Sequence, residues 1–186
     1  MEQQDVKVKQ DISAVIYDYL KMVVVIVVCC LLVFVFVVRK TAVEGTSMLD
    51  TLHHNDQLIV SNLLYEPKRG DIAVLTHTEY MTKPMVKRVI AVGGDTVDID
   101  YEAGYVILNG TPLDEPYIRE PMFPRISGVE FPLTIPEGYI FVLGDNRNGS
   151  SDGRVYGPVD KREVVGKVYA VIKIGKFLQD AHNDAE

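Results

Sequence analysis

Met85-Val86-Lys87-Arg88-Val89-Ile90-Ala91-Val92 is an apolar, largely β-branched run interrupted by two adjacent cations and closed by Gly93-Gly94-Asp95. Composition, length and the glycine stop predict a β-strand. Side chains on a strand alternate between faces, so Lys87 shares one face with Val89 and Ala91, and Arg88 shares the other with Val86 and Ile90. One of the two charges must then point toward an apolar or partly covered side. An edge-strand lysine that discourages aggregation is one reading. The other is a lysine whose burial lowers its pKa. An ordinary lysine near ~10.4 is neutral in about one molecule in a few thousand at pH 7, and desolvation by roughly 3–5 units makes it a usable base.

The same texture extends on both sides. Upstream, Gln57-Leu58-Ile59-Val60-Ser61 reads as a strand, Glu66-Pro67-Lys68-Arg69-Gly70-Asp71 as a turn, and Ile72-Ala73-Val74-Leu75 as the next strand. Downstream, Thr96-Val97-Asp98-Ile99-Asp100 alternates apolar and polar, as a half-buried strand does. Tyr105 to Leu108, Asn109-Gly110, then Thr111-Pro112-Leu113 is a hairpin signal. Residues 114–138, rich in Pro and Gly, read as part of a loop-rich insertion. Tyr139-Ile140-Phe141-Val142-Leu143 is a short buried strand, Gly144 to Gly157 a polar Gly-rich loop, and Val164 to Ile174 a last alternating run. Short strands with frequent turns, no long amphipathic helix after residue 40 and no internal repeat predict a mainly β, antiparallel domain.

Ahead of that domain, residues 22–38 read MVVVIVVCCLLVFVFVV with no charged side chain. With Leu20 the run approaches the ~20 residues that cross a ~30 Å hydrocarbon core. It ends at Arg39-Lys40 with no small-residue cleavage triplet after it, which separates it from a cleavable signal sequence. Ile12, Val15, Ile16, Tyr19 and Leu20 fall at roughly helical spacing, so a helix leads into the span. Lys7, Lys9 and Lys21 before the span, against Arg39 and Lys40 after it, favour an inside N-terminus. The expected layout is a cytoplasmic segment 1–21, a transmembrane helix 22–40, an extracytoplasmic domain 41–178 with an insertion at about 100–138, and a tail 179–186.

Composition excludes several classes. The chain has 186 residues and a formal net charge of -7, so a basic nucleic-acid footprint is not expected. Cys29 and Cys30, the two cysteines, are adjacent inside the apolar run, and the rest of the chain needs no disulfide. The histidines, His53, His54, His77 and His182, lack zinc-ligand spacing. No metal and no cofactor are expected.

Two further stretches carry candidate chemistry. Glu44-Gly45-Thr46-Ser47-Met48-Leu49-Asp50-Thr51-Leu52 puts a serine just after the apolar run. It reads either as a linker or as a nucleophile, with Gly45 giving the backbone freedom and the Ser47 N–H available to an oxyanion. His53 and His54 lie close by, but nothing in the sequence sets them opposite Ser47. Gly144-Asp145-Asn146-Arg147-Asn148-Gly149-Ser150-Ser151-Asp152-Gly153-Arg154 follows a buried strand. It reads as a surface loop held by Asx-turns, or as a support in which Ser150 bonds the lysine amine while Asp152 and Arg154 hold the loop. A calcium loop is disfavoured, because Arg147 and Arg154 sit among its two acidic residues, Asp145 and Asp152.

Together these stretches resemble the type I signal peptidase family of membrane-bound Ser/Lys endopeptidases. Ser47-Met48-Leu49-Asp50-Thr51-Leu52 is similar to the family's S-M-x-P-T-L box. Arg69-Gly70-Asp71 matches its R-G-D box, and Lys87-Arg88-Val89-Ile90 running into Gly94-Asp95 matches K-R-V-x-G-x-x-G-D, with Ala91 where the family usually has Gly. Gly144-Asp145-Asn146-Arg147 with Ser150, Asp152 and Arg154 matches G-D-N-R-x-x-S-x-D-S-R. Asp50 stands where the family usually has Pro, and Gly153 replaces a usual Ser. Gly45 stands where some members carry an oxyanion-hole serine.

The resemblance implies a mainly β fold with an N-terminal membrane helix, Ser47 as nucleophile and Lys87 as base, with Ser150, Asp152, Arg154 and Asp145 supporting them. It implies no cofactor, and substrates that are secretory preproteins with small residues at the first and third positions before the cut. The enzyme would sit in the cell membrane, single-pass, with its catalytic domain outside. A Ser/Lys hydrolase with another target, such as a self-cleaving repressor, and a non-catalytic membrane-anchored β module that binds exported chains are the alternatives.

Overall fold

The structure, a computed structural model, describes residues 12–37, 39–76, 83–124 and 128–174. The expectations for residues 1–11, Val38, His77, His182 and the tail 179–186 lie outside the described residues. The chain divides into two units, Met1–Val38 and Arg39–Glu186.

The first unit contains one helix, α1 (Ile12–Val37). Residues 12–21 and the apolar run up to Val37 form one continuous element. Within it Ser13–Leu32, 20 residues, is long and apolar enough to cross a membrane, about 30 Å at 1.5 Å per residue. All its side chains from Ser13 to Leu32 are exposed, so within the described residues they have no protein core to join. A helix apolar on every side satisfies its own backbone groups, which is what a hydrocarbon environment requires.

The second unit is built of strands β1 (Arg39–Ala42), β2 (Gln57–Ser61), β3 (Ile72–Leu75), β4 (Met85–Val92), β5 (Thr96–Asp100), β6 (Tyr105–Leu108), β7 (Thr111–Pro112), β8 (Leu133–Thr134), β9 (Tyr139–Leu143), β10 (Val159–Asp160) and β11 (Val164–Ile172). A one-turn helix, α2 (Gly153–Tyr156), lies between β9 and β10. The larger sheet runs β1-β2-β11-β3-β4-β9-β10 and the smaller one β7-β6-β5-β8. The strand pairs in both are antiparallel.

Two expectations are corrected. The helix does not continue to residue 40: it ends at Val37, and Arg39 and Lys40 open β1, paired with Val60 and Ile59. Charges on an edge strand blunt its exposed hydrogen-bonding side. The strict alternation along β4 also fails beyond Val89. A bulge between Val89 and Ala91 opposite β9 inserts one residue. Ile90 and Ala91 consequently both join the core with Val97, Val106 and Phe141, while Val89 packs with Leu75, Ile140 and Val142. The second sheet begins at Thr96 and returns at Leu133–Thr134, so β5 to β8 form a small β layer packed against Ile90, Ala91, Phe141 and Leu143 of the paired β4 and β9.

A third cluster positions the serine turn. Met48 and Leu52 are buried with Val43, Leu58, Val60 and Val74. The Leu52 N–H donates to the Met48 carbonyl at 2.8 Å, giving a helical turn whose apolar side points into β2 and β3. Burying two such side chains stabilises the turn by roughly 3–6 kcal/mol, enough to make an otherwise Gly-Thr-Ser linker rigid.

Candidate active site

β4 lies between β3 and β9, with Lys87 opposite Ala73. An interior position rules out the edge-lysine reading and leaves burial. Lys87 is 3% exposed, on the same face as Met85 and Val89. Its ammonium donates to the Ser150 hydroxyl at 3.1 Å. Burial pushes its pKa down from the ordinary 10.5 to about 8; Asp152 opposes the fall, Arg154 adds to it, and Asp145 opposes it. The neighbouring Arg88 turns to the other face. It forks onto Asp145 at 2.8 and 2.6 Å and donates to the Gly70 carbonyl at 3.0 Å.

Ser47 begins the Met48-anchored turn and is half-buried. Its carbonyl accepts from the Asn146 N–H at 3.0 Å, and the Asn146 side-chain amide donates to the Thr46 carbonyl at 3.1 Å. Thr51, one turn on, donates to Asp145 at 2.5 Å. Among the described residues the Ser47 N–H and hydroxyl carry no hydrogen bond. Gly45, exposed at φ +92, supplies a backbone conformation that side chains with a Cβ rarely adopt. Asp50 is exposed and follows a cis peptide bond.

The loop after β9 joins these two elements. A Cβ on Gly144 would fall inside 3.0 Å of both the Ser47 carbonyl and the Ser150 hydroxyl, so the bare glycine lets the Ser47 turn and the lysine's partner approach. Gly144 and Ser150 therefore lie between the Ser47 backbone and the Lys87 amine as shared neighbours, without a direct hydrogen bond between Ser47 and Lys87 among the described residues. Asp152 caps α2 and accepts from the Gly144 N–H at 3.1 Å, from Ser150, and from Arg154 Nε at 2.8 Å. Burial raises the Asp152 carboxyl pKa, but the Arg154 guanidinium and these donors outweigh it and hold the group below the ordinary carboxylate range. Gly153 leaves no room for a side chain: its Cβ would lie 2.8 Å from the Phe141 ring and the Val142 carbonyl.

The histidines stand apart. The His53 N–H donates to Asp56 at 2.9 Å, and His54 Nδ1 accepts from the Gly45 N–H at 3.4 Å. Neither reaches Ser47 Oγ among the described hydrogen bonds. Sequence reading assigned no part to Arg88 or Thr51, which fix Asp145, nor to Glu115, which pairs with Arg147. Arg88 stood in plain view beside Lys87; Glu115 lies in a stretch without period, and no local signal marks it.

The remaining matched boxes hold the frame. Arg69 forks onto Asp95, with Nε at 2.8 Å, and Asp95 also accepts from the Asn109 side chain at 2.9 Å. Asp71 accepts from Lys167 at 2.6 Å and Tyr65 at 3.0 Å, tying the turn before β3 to β11. A cavity of about 220 Å³ is lined by Thr41, Ala42, Glu44, Val74, Pro84 and Val86, among others. Its walls are the chain leading into Ser47 and the chain leading into Lys87.

The family described as signal peptidase, peptidase S26, matches this chain over residues 16–173. The chain is 36% identical over 161 residues to a signal peptidase I of Bacillus licheniformis, covering 81% of this chain and 85% of that one. It is 34% identical over 161 residues to a probable signal peptidase I-1 of Synechocystis, covering 81% and 79%. Over 142 residues it is 37% identical to a signal peptidase I of Leptolyngbya laminosa, covering 71% and 67%. A solved signal peptidase I from Enterococcus faecalis aligns at 31% identity and a TM-score of 0.46, covering 56% of this chain and 97% of that one. With its mainly β fold and its matched length, this chain belongs to the signal peptidase family, peptidase S26, and is a hydrolase of the signal peptidase I type.

Proposed function

We propose that this chain is a membrane-anchored serine endopeptidase that removes signal peptides from secretory preproteins, with Ser47 as nucleophile and Lys87 as general base. The observation that carries the reading is the buried Lys87 amine, bonded to Ser150 beside the backbone of Ser47, with its pKa lowered to about 8. At pH 7 about one molecule in ten has Lys87 neutral, against about one in a few thousand for an exposed lysine.

The chemistry follows from those two groups. Neutral Lys87 takes the Ser47 hydroxyl proton as Oγ attacks the scissile carbonyl carbon. The oxyanion of the tetrahedral intermediate is met by the uncommitted Ser47 N–H; one such donor is worth about 10²–10³ in rate. Gly45 offers no hydroxyl there. The Lys87 ammonium then protonates the departing amine, which becomes the new N-terminus of the mature chain, leaving an ester on Ser47. Lys87, neutral again, deprotonates a water that attacks the ester, releasing the signal peptide as a carboxylate and restoring Ser47. Ser150, Asp152 and Arg154 orient the amine, and Asp145 ties the Ser47 turn to β4 through Thr51 and Arg88. The cavity between Thr41–Glu44 and Pro84–Val86 suits small side chains of an extended peptide. Helix α1 crosses the bilayer once, with its N-terminal end on the inner side and the domain from 41 to 178, carrying its β insertion, outside.

The test is cleavage of a labelled preprotein by the purified chain in detergent. Ser47→Ala and Lys87→Ala are each expected to abolish the single defined cut, while His53→Ala combined with His54→Ala leaves it largely intact. Cleavage by either dyad variant would overturn the assignment, and a near-total loss in the histidine variant would transfer the base to His53 or His54.

A further inference from the structure

Arg147 is fully buried in the loop between β9 and α2, yet it is not one of the groups that face Ser47 or Lys87. Its Nε donates to the Gly144 carbonyl at 3.1 Å, and its own carbonyl accepts from Arg154 Nη2 at 2.5 Å. It thus spans the loop from the glycine beside Ser47 to the arginine that grips Asp152. Its guanidinium is held from outside the loop by Glu115, whose carboxylate accepts both terminal nitrogens, one at 2.8 Å and the other at 2.5 Å. The Tyr117 hydroxyl donates to Glu115 at 2.8 Å, and the Arg88 guanidinium lies 3.8 Å from the centre of the Tyr117 ring. Arg88 in turn forks onto Asp145, which returns to Thr51. The same segment grips the loop a second time: Asn148 accepts from the Phe123 N–H at 2.9 Å and donates to the Pro121 carbonyl at 3.0 Å.

The geometry points to Glu115, in the segment following β7, as a positioning residue for the catalytic loop, holding Arg147 so that Gly144 and Ser150 stay set against Ser47 and Lys87. The inference rests on the Ser47–Lys87 reading. A buried ion pair adds little stability over an apolar pair of the same volume, because desolvation offsets its Coulomb gain. It does disfavour every arrangement that leaves either charge alone. Here the arrangement being selected is that of the loop around the reacting groups, where a displacement of about 1 Å lowers the rate about 10²-fold.

The experiment is steady-state cleavage of a peptide substrate with Ala at the first and third positions before the cut, by the full chain in detergent. Glu115→Gln keeps the shape and removes the charge opposite Arg147. The expected result is a kcat lowered about 10²-fold with KM within about twofold. The midpoint of the kcat–pH profile should rise, because a loosened loop admits water to Lys87. In a Ser150→Ala background the same change should lower kcat less than about threefold, since both act through one contact. Equal losses in the two backgrounds, or an unmoved kcat and pH midpoint with only a lowered Tm, would overturn the proposal. If Glu115→Gln does not fold, Tyr117→Phe removes one bond to Glu115 and keeps the ring under Arg88. It should lower kcat several-fold with the same non-additivity toward Ser150→Ala, and additivity would count against the proposal equally. Ser47→Ala and Lys87→Ala are measured alongside: retained cleavage there refutes the dyad, whereas their loss beside an unaffected Glu115→Gln refutes only the role of Glu115.

Discussion

Lys87→Met should inactivate the protein and stabilise it. Lys87 is 3% exposed, and burial brings its pKa from 10.5 to about 8. A lysine whose folded pKa lies below its unfolded one costs stability in full below the folded pKa, and the cost fades as pH rises toward the unfolded one. Below pH 8 both states are protonated and the folded state carries a desolvated charge in full; at 2.5 units and 1.36 kcal/mol per unit this is about 3 kcal/mol. From about pH 8 to 10.5 the folded lysine is neutral while the unfolded one is still charged, so wild-type stability rises with pH and the disadvantage fades. Methionine titrates nowhere and fits an apolar face, although it leaves the Ser150 hydroxyl without one partner, an offset of about 1 kcal/mol. The expected advantage of Lys87→Met is therefore about 2 kcal/mol at pH 6, shrinking by about 1.4 kcal/mol by pH 9. The assay is urea unfolding of both chains in the same detergent at pH 6, 7, 8 and 9, followed by tyrosine fluorescence, since the chain has ten tyrosines and no tryptophan. All other titrations cancel in the difference. A stability difference that stays flat from pH 6 to 9 would refute the lowered pKa. Paired kinetics must agree: the wild-type single-turnover rate should rise about tenfold per pH unit below about pH 8 and then level. A midpoint near 6.5 would instead signal a histidine.

Two further substitutions probe the frame. Gly144→Ala sets a Cβ inside 3.0 Å of the Ser47 carbonyl and the Ser150 hydroxyl, so kcat should fall about 10²-fold while α1 and the sheets, followed by circular dichroism, are unchanged; wild-type kcat would refute the close approach. Asp145→Asn leaves Arg88 facing a neutral amide in a buried site, and a thermal or urea titration should show a loss of about 3–5 kcal/mol, accompanied by reduced cleavage because the bidentate Arg88 contact that ties the Ser47 turn to β4 is lost with it.

The local part of this protein was written in the sequence. Short β-branched and aromatic apolar runs bounded by turn residues, with clean alternation in β5, predict β2, β3, β4, β5, β6 and β9 at the ends they have in the structure, because a strand packed against a core needs such a run wherever its partners lie. The apolar run, with the helical spacing from Ile12 ahead of it, predicts α1, though it overstates its end. Ser47, Lys87, Ser150 and Asp152 were picked out by residue type and spacing. What the sequence withheld is long-range. β1, β8 and β10 are two to four residues long and exist only by pairing with strands far along the chain. Whether Lys87 was an edge lysine or a buried one turned on β9 coming to lie beside β4, and its partner Ser150 is 63 residues away. Glu115, 32 residues from its partner Arg147, carries no pattern at all. Periodicity reports how a segment meets water, residue by residue. Which charge meets which inside the protein is a property of the closed chain, and only the packed β4–β9 pair with its covering loop determines that Lys87 loses its water and that Gly144 admits Ser47 beside it.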